Sequence, residues 1–380
     1  MPVVVSASRS TDIPAFYADW FMERLKAGYV KWFNPFNGIP QHVGFRRTRL
    51  IVFWSKNPAP MLAYLDELER ICPNYYFQFT LNDYDKEHIE PRVPPLEKRI
   101  ETFRVLSERV GRDRVVWRFD PLILADSLSV GDLLGKVERL GDSVAKCTSR
   151  LVFSFVDIKS YKKVGGNLRN GGVNAREFTQ EEMCEIAQGI GKLAKGWGIE
   201  AATCGEAADL ARYGIGHNRC IDDRLIAKCF HHDAQLMKFI GARFVQGDLF
   251  GATDEERRDR WLVSDESHAK LKDKGQRQAC GCIMSKDIGE YSTCASLPLL
   301  LRQHEQRLGA VKLETPLRMP VRRDHNRGMT ISFCHEMSAS DDAFAWLNAV
   351  GLGPAIQPAS RRLDQSLVAG MGRPIFDEVG

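Results

Sequence analysis

Residues 50–80, LIVFWSKNPAPMLAYLDELERICPNYYFQFT, hold one whole strand–helix–strand unit. Leu50–Trp54 is an unbroken run of β-branched and aromatic residues, the pattern of a strand buried on both faces. Pro60–Cys72 carries apolar residues at helical spacing, and Tyr75–Thr80 is a second aromatic-rich strand. Two strands joined through a helix pair in parallel, because the helix returns the chain to its starting edge.

The same unit recurs on both sides. Upstream, Pro2–Ser6 reads as a buried strand. A helix follows, with Asp12 as its cap and Pro14 in its first turn. Phe16, Trp20, Phe21, Met22 and Leu25 form its apolar face, and Gly28 ends it. Downstream come a helix over Leu96–Val110, a strand over Val115–Phe119 and a helix near Val130–Leu140. A strand over Leu151–Val156, a helix near Gln180–Trp197 and a short strand over Ile199–Thr203 complete the series. Six or more such units, with no early glycine-rich turn, predict an α/β fold: a (β/α) barrel or partial barrel. Polar residues gather where each strand ends, the side that carries chemistry in such folds. They are Ser6, Ser8 and Arg9; Ser55, Lys56 and Asn57; Asn82 and Asp83; Arg118 and Asp120; Asp157 and Lys159; Cys204 and Glu206. Connecting loops are polar in any case, so the accumulation over six strands carries more weight than any single residue.

Composition narrows the function. Hydrophobic residues make up 44% of the 380 and charged residues 27%, globular proportions for one large barrel or two ordinary domains. No run approaches the 18 or so apolar residues of a membrane span, and MPVVVSASRS lacks the pattern of a secretory signal. A cytoplasmic protein is expected. A net charge of +4 with both signs interspersed gives nucleic-acid binding little support. Walker and Rossmann glycine motifs are absent from the sequence.

Ten cysteines without an export signal point to metal or redox chemistry rather than disulfides. Cys280, Cys282 and Cys294 share one short segment; Cys204 and Cys220 lie upstream. Four thiolates can hold an iron–sulfur cluster or a zinc ion, while scattered cysteines can equally be small core residues. Cys72, Cys147, Cys184 and Cys229 fall on expected helices and read as core. His231 and His232 are adjacent, so their side chains diverge and do not suggest a shared metal.

Several motifs together resemble the bacterial DUF1848 family, a domain of unknown function. They are VVVSASRSTDIPAFYADWF at the start, NPFN (34–37), FWSKNP (53–58), RFDP (118–121), TCGE (203–206), CIDD (220–223) and CGCIMSKDIGEYSTC (280–294). The likeness spans about residues 1–294. Such families end in C-x3-C-x2-C followed by Tyr-Ala, similar to the cluster motif of radical S-adenosylmethionine (SAM) enzymes. There, three thiolates hold a [4Fe–4S] cluster whose open iron binds SAM. The resemblance therefore implies a barrel of the TIM or radical SAM type and an oxygen-poor setting. It also implies a small-molecule or macromolecular substrate and, if the enzyme is active, an electron donor such as a flavodoxin or ferredoxin. DNA repair is a further possibility raised by that likeness.

This sequence departs from the pattern after Cys294. ASLPLLLRQ (295–303) stands where two more cysteines belong. Restoring two bases after the Ala295 codon, in one compatible back-translation, gives Ala-His-His-Cys-Arg-Tyr-Cys-Tyr-Ala, at the family spacing. Residues 295–380 contain nine arginines, one lysine (Lys312) and no tyrosine. The expectation is a barrel domain over 1–294 and an irregular, out-of-frame tail over 295–380; a genuine C-terminal extension is the competing reading. With Cys294 alone, the SAM cluster is impaired. Cys204, Cys220, Cys280 and Cys282 remain as ligands for an auxiliary [4Fe–4S] cluster or a zinc, the latter in a non-catalytic metal-binding protein. Ser8 and Arg9 are candidates for binding SAM or an anionic substrate group; Arg9, Asp12, Lys56, Arg118 and Asp120 are the candidate catalytic residues. Each also has a structural reading: Asp12 as a helix cap, Arg118 with Asp120 as a buried ion pair.

Overall fold

The computed structural model describes residues 1–7, 12–33, 40–90, 93–159, 162–247, 253, 260–263, 281–288, 321–322 and 330–331. The chain divides into two units. The first, Met1–Trp32 with His42–Ser292, contains the large sheet. The chain opens with β1 (Val4–Ala7), α1 (Ile13–Phe16) and α2 (Ala18–Lys26), then the paired strands β2 (Tyr29–Phe33) and β3 (Pro40–Gly44). Next come β4 (Leu50–Ser55), α3 (Ala59–Leu62), α4 (Leu65–Ile71), β5 (Tyr75–Thr80) and α5 (Leu96–Val110). The middle holds β6 (Val115–Leu122), β7 (Leu124–Ala125), α6 (Val130–Val144), β8 (Arg150–Phe155), α7 (Lys162–Asn170) and β9 (Ala175–Arg176). There follow α8 (Gln180–Trp197), β10 (Glu200–Thr203), β11 (Ile215–His217), α9 (Asp223–Phe230), α10 (Ala234–Ile240), β12 (Ala242–Val245), β13 (Arg260–Val263) and β14 (Lys286–Asp287). In the second unit, β15 (Val321–Arg322) pairs antiparallel with β16 (Thr330–Ile331).

The mixed α/β class is as expected. Eight strands form one sheet in the order β11-β10-β8-β6-β5-β4-β1-β14, with every neighbouring pair parallel. From β1 to β11 the order follows the chain, and β14, last in sequence, adds beside β1. One sheet face carries Phe53, Phe77, Phe79, Trp117 and Phe153, all buried. Phe21 of α2 meets Phe53 edge-on at 5.4 Å, Phe103 of α5 lies 5.1 Å from Phe79, and Trp197 of α8 lies 6.1 Å from Trp117. Helices from three of the crossovers therefore cover the same face. On the other face Val4, Leu50, Val52, Tyr76, Val116 and Val152 pack with Cys220, Ile221, Cys282 and residues of α9 and α10. Alternation along the strands puts Gln78, Arg118 and Ser154 on this second face, nearer the strand C-terminal ends. Among the described residues, no helix is long and apolar enough to cross a membrane.

Two expected helices are each divided. Tyr17, at φ −138°, interrupts the first, so α1 and α2 are separate; Asp12 caps α1 by accepting from the Ala15 amide at 3.0 Å. The helix expected over Pro60–Cys72 is α3 and α4, parted at Ala63 and Tyr64. By contrast, α5 and α8 have the expected limits. Thr179 and Glu182 close a reciprocal capping box at the start of α8, and left-handed Gly198 terminates it.

Candidate functional site

The chemistry-bearing residues collect where β5, β6, β8 and β10 end. Polar side chains inside two apolar strands begin the site: Gln78 in YYFQFT and Arg118 in VVWRF. Arg118 is almost wholly buried, so its charge needs partners. Its Nε donates to Asp120 Oδ2 at 3.0 Å, a second, shorter contact joins Nη2 to the same oxygen, and Nη1 donates to Gln78 Oε1 at 3.2 Å. Burial lowers the Arg118 pKa, but Asp120 and the nearby cysteines outweigh it and hold the guanidinium well above its ordinary range. Asp120 also accepts from the Ser154 hydroxyl, and its amide donates to Asn82 Oδ1 at 2.9 Å.

Arg118 also reaches a group of thiols. Its Nη1 lies 3.4 Å from Cys220 Sγ, and Asn218 Nδ2 lies 3.4 Å from the same sulfur. Cys204 Sγ is 3.4 Å from Cys220 Sγ, and Cys282 Sγ accepts from the Cys220 amide at 3.0 Å. The Cys220 carbonyl is pinned in turn by the Tyr76 hydroxyl at 2.7 Å and Gln78 Nε2 at 2.8 Å. Hydrogen bonds from the Cys204 and Cys282 thiols, with the Arg118 charge, outweigh burial and hold Cys220 well below the ordinary thiol range. Cys204 moves the opposite way: its hydrogen bond to Cys220 and its burial push it up. Glu206, which accepts from the Phe155 amide at 3.0 Å, is raised by burial and by Asp120 and Asp157.

Two further candidates join the same network. Asn82 Nδ2 donates to Glu90 Oε1 at 3.1 Å, and Glu90 pairs with Lys56 Nζ. The Lys56 amide donates to Asp12 Oδ2 at 2.7 Å; Asp12 Oδ1 accepts from the Ser55 hydroxyl at 2.7 Å and from Ala15. Burial raises the Asp12 carboxyl, against the lowering by these donors. Its contacts are those of a helix cap tied to the neighbouring loop. Ser8, Arg9, Cys280 and Cys294 lie outside the described residues.

Sequence reasoning passed over Gln78, Ser154, Asn218 and Glu90. A lone polar residue within an apolar strand is a usable signal for the first two; Glu90 has none. The reading of four cysteines as core holds fully for Cys72 alone: Cys147, Cys184 and Cys229 are partly exposed. On α8, Cys184 is lowered by hydrogen bonds from Tyr213 and from Arg212, whose Nη2 lies 3.3 Å away. His231 stacks on Trp261 and meets His232 edge-on at 6.0 Å between ring centres. The described residues by themselves contain no group of three or more His, Cys, Asp or Glu side chains that makes up a metal site.

A family model, described as a domain of unknown function (DUF1848), matches residues 4–298. No curated protein matches the chain. A solved structure assigned to an alpha-L-fucosidase of Bacteroides thetaiotaomicron is 13% identical, covering 55% of this chain and 74% of that one. Its TM-score is 0.24, and the likeness carries no functional argument.

Proposed function

The chain belongs to the DUF1848 family, a domain of unknown function, and from that premise we propose that it is a thiolate metalloprotein. Its ligands are Cys204, Cys220 and Cys282, with Cys280 as the fourth. The observation that carries the reading is the approach of Cys204 and Cys282 to Cys220 from segments 16 and 62 residues away. The donor set suits a soft metal: two sulfurs lie 3.4 Å apart, and a buried guanidinium lies beside one of them. Arg118 is a positioning residue here, anchored by Asp120; both act on the sulfur rather than on substrate. Ser8 and Arg9, next after β1 in the sequence, are assigned to an anionic group of the substrate, while Asp12 and Lys56 hold the neighbouring strand ends.

Two metals compete for the site. The cysteine-rich motifs of the family favour an auxiliary [4Fe–4S] cluster. The sulfur separation favours a mononuclear ion: thiolates about 2.3 Å from one tetrahedral zinc lie about 3.8 Å apart, whereas in a cluster each sulfur has its own iron. Anaerobic purification with metal and sulfide analysis tests both. About four irons with absorption near 400 nm support the cluster, and one zinc in a colourless protein supports the ion. A chain that binds neither, at any loading, ends the proposal.

The SAM-binding cluster does not fit this chain. It needs three thiolates, and only Cys294 stands at the family spacing. No reaction step is assigned to it, and a radical SAM activity is proposed only for a chain with the frame restored after Ala295. Resequencing the gene tests this: an intact frame with incompatible codons removes the idea. For the sheet we propose a barrel, closed between β11 and β14. The Ile283 amide, which donates to the Ile221 carbonyl at 3.1 Å, and the Cys220–Cys282 contact support it.

A further inference from the structure

The sulfurs of Cys204 and Cys220 are 3.4 Å apart, about 1.4 Å beyond the length of an S–S bond. Their backbones are fixed independently. The Cys204 amide donates to Phe153 O at 2.9 Å, and the Cys220 carbonyl takes the two bonds from Tyr76 and Gln78. Arg118 Nη1 and Asn218 Nδ2 both direct N–H groups at Cys220 Sγ, each from 3.4 Å. Donors placed there stabilise the charge that gathers on the sulfur as it attacks an oxidant. Cys204 is partly exposed beside it, while Cys220 is 5% exposed, so a small oxidant is needed.

We propose that Cys204 and Cys220 form a redox-active dithiol that hydroperoxides oxidise to a reversible disulfide. The Cys220 thiolate attacks the outer peroxide oxygen; an S–O bond forms, the O–O bond breaks, and the alkoxide or hydroxide leaves. Cys204 sulfur then attacks the sulfenic sulfur. The S–S bond forms, the S–O bond breaks, and the departing hydroxide takes the Cys204 proton as water. Two electrons pass from the thiols to the peroxide. The inference goes beyond the metal reading and stands without it, because it concerns the metal-free chain; once oxidised, the pair has no thiolate left for a metal.

The full chain is reduced, freed of metal with a chelator and exposed to hydrogen peroxide. Free thiols receive one alkylating label before reduction and a second label after it, and the peptides are analysed by mass spectrometry. Cys204 and Cys220 are expected to carry the second label about tenfold above the other cysteines. The linked peptide is expected before reduction, and dithiothreitol restores both thiols. In Cys204→Ser the reaction stops at Cys220, where dimedone traps the sulfenic acid. A disulfide to Cys282 instead, scrambled linkages, or first label retained on both residues overturns the proposal. Should the variant fail to fold, the linkage map of the unaltered chain alone decides. Metal content, measured separately, leaves this outcome unaffected.

Discussion

Asp233 shows what one buried carboxylate contributes far from the thiols. It caps α10 by accepting from the Leu236 amide at 3.0 Å, and its other oxygen accepts from Arg49 Nε and Asn74 Nδ2, each at 2.8 Å. Burial alone raises its pKa, but these donors prevail and hold it below the ordinary 3.8. The unfolded state therefore takes up its proton first as pH falls. The stabilisation is fully present above about pH 4 and is lost as pH drops through the depressed native value. Asp233→Asn is expected to reduce stability by about 1–2 kcal/mol at pH 7, with the difference from the parent shrinking below pH 4. Urea unfolding from pH 3 to 7 checks this; a constant difference would be inconsistent with it. The Asp233 partners Arg49 and Asn74 lie 184 and 159 residues away, so no local pattern in the chain reveals them.

At the scale of elements, α6 and α8 pack through a glycine. A methyl group on Gly141 would overlap the Trp197 ring. Trp197 is held on its other sides: its Nε1 donates to Asp142 Oδ1 at 2.9 Å and its ring meets Trp117 of β6. It has little room to give. Gly141→Ala is expected to cost about 1–3 kcal/mol through overpacking, although alanine favours a helix by up to about 1 kcal/mol. Thermal unfolding measures the net effect, and an unchanged or higher Tm would show that the helices part freely. Both helices are legible in the sequence because their apolar stripes repeat over 15 and 18 residues. That one leans on the other through Gly141 is not, since GDSV reads as an ordinary solvent-side turn of helix.

Across the whole molecule, the proposed metal joins parts of the sheet that the chain order keeps apart. Cys204 follows β10, Cys220 follows β11, and Cys282 precedes β14. A ligand that binds only the folded arrangement stabilises it by about 4 kcal/mol when present at a thousand times its dissociation constant. Chelation of the loaded protein is therefore expected to lower Tm, and readdition of the metal to restore it. Cys282→Ser should abolish that dependence on metal. A chelator-insensitive Tm in a metal-loaded chain would place the metal elsewhere. Edge pairing accounts for two strands that sequence reasoning missed. β11 is three residues, IGH, and β14 is two charged ones, Lys286 and Asp287. Neither has an apolar pattern; each is a strand because an existing edge supplies its hydrogen bonds, β10 for one and β1 for the other.

By itself, the sequence determined the alternation of strands and helices, the parallel pairing it entails, the cap at Asp12 and the family. Those features depend on neighbours within a few turns of chain, where periodicity and capping are written locally. The tertiary structure alone decided that Arg118 lies against Cys220, that Cys204 Sγ comes to 3.4 Å from Cys220 Sγ, and that Lys56, Glu90, Asn82 and Asp120 form one connected network. These contacts join residues tens of positions apart. Their existence follows from strand order and register, which set where each side chain ends, and no spacing within the chain encodes that.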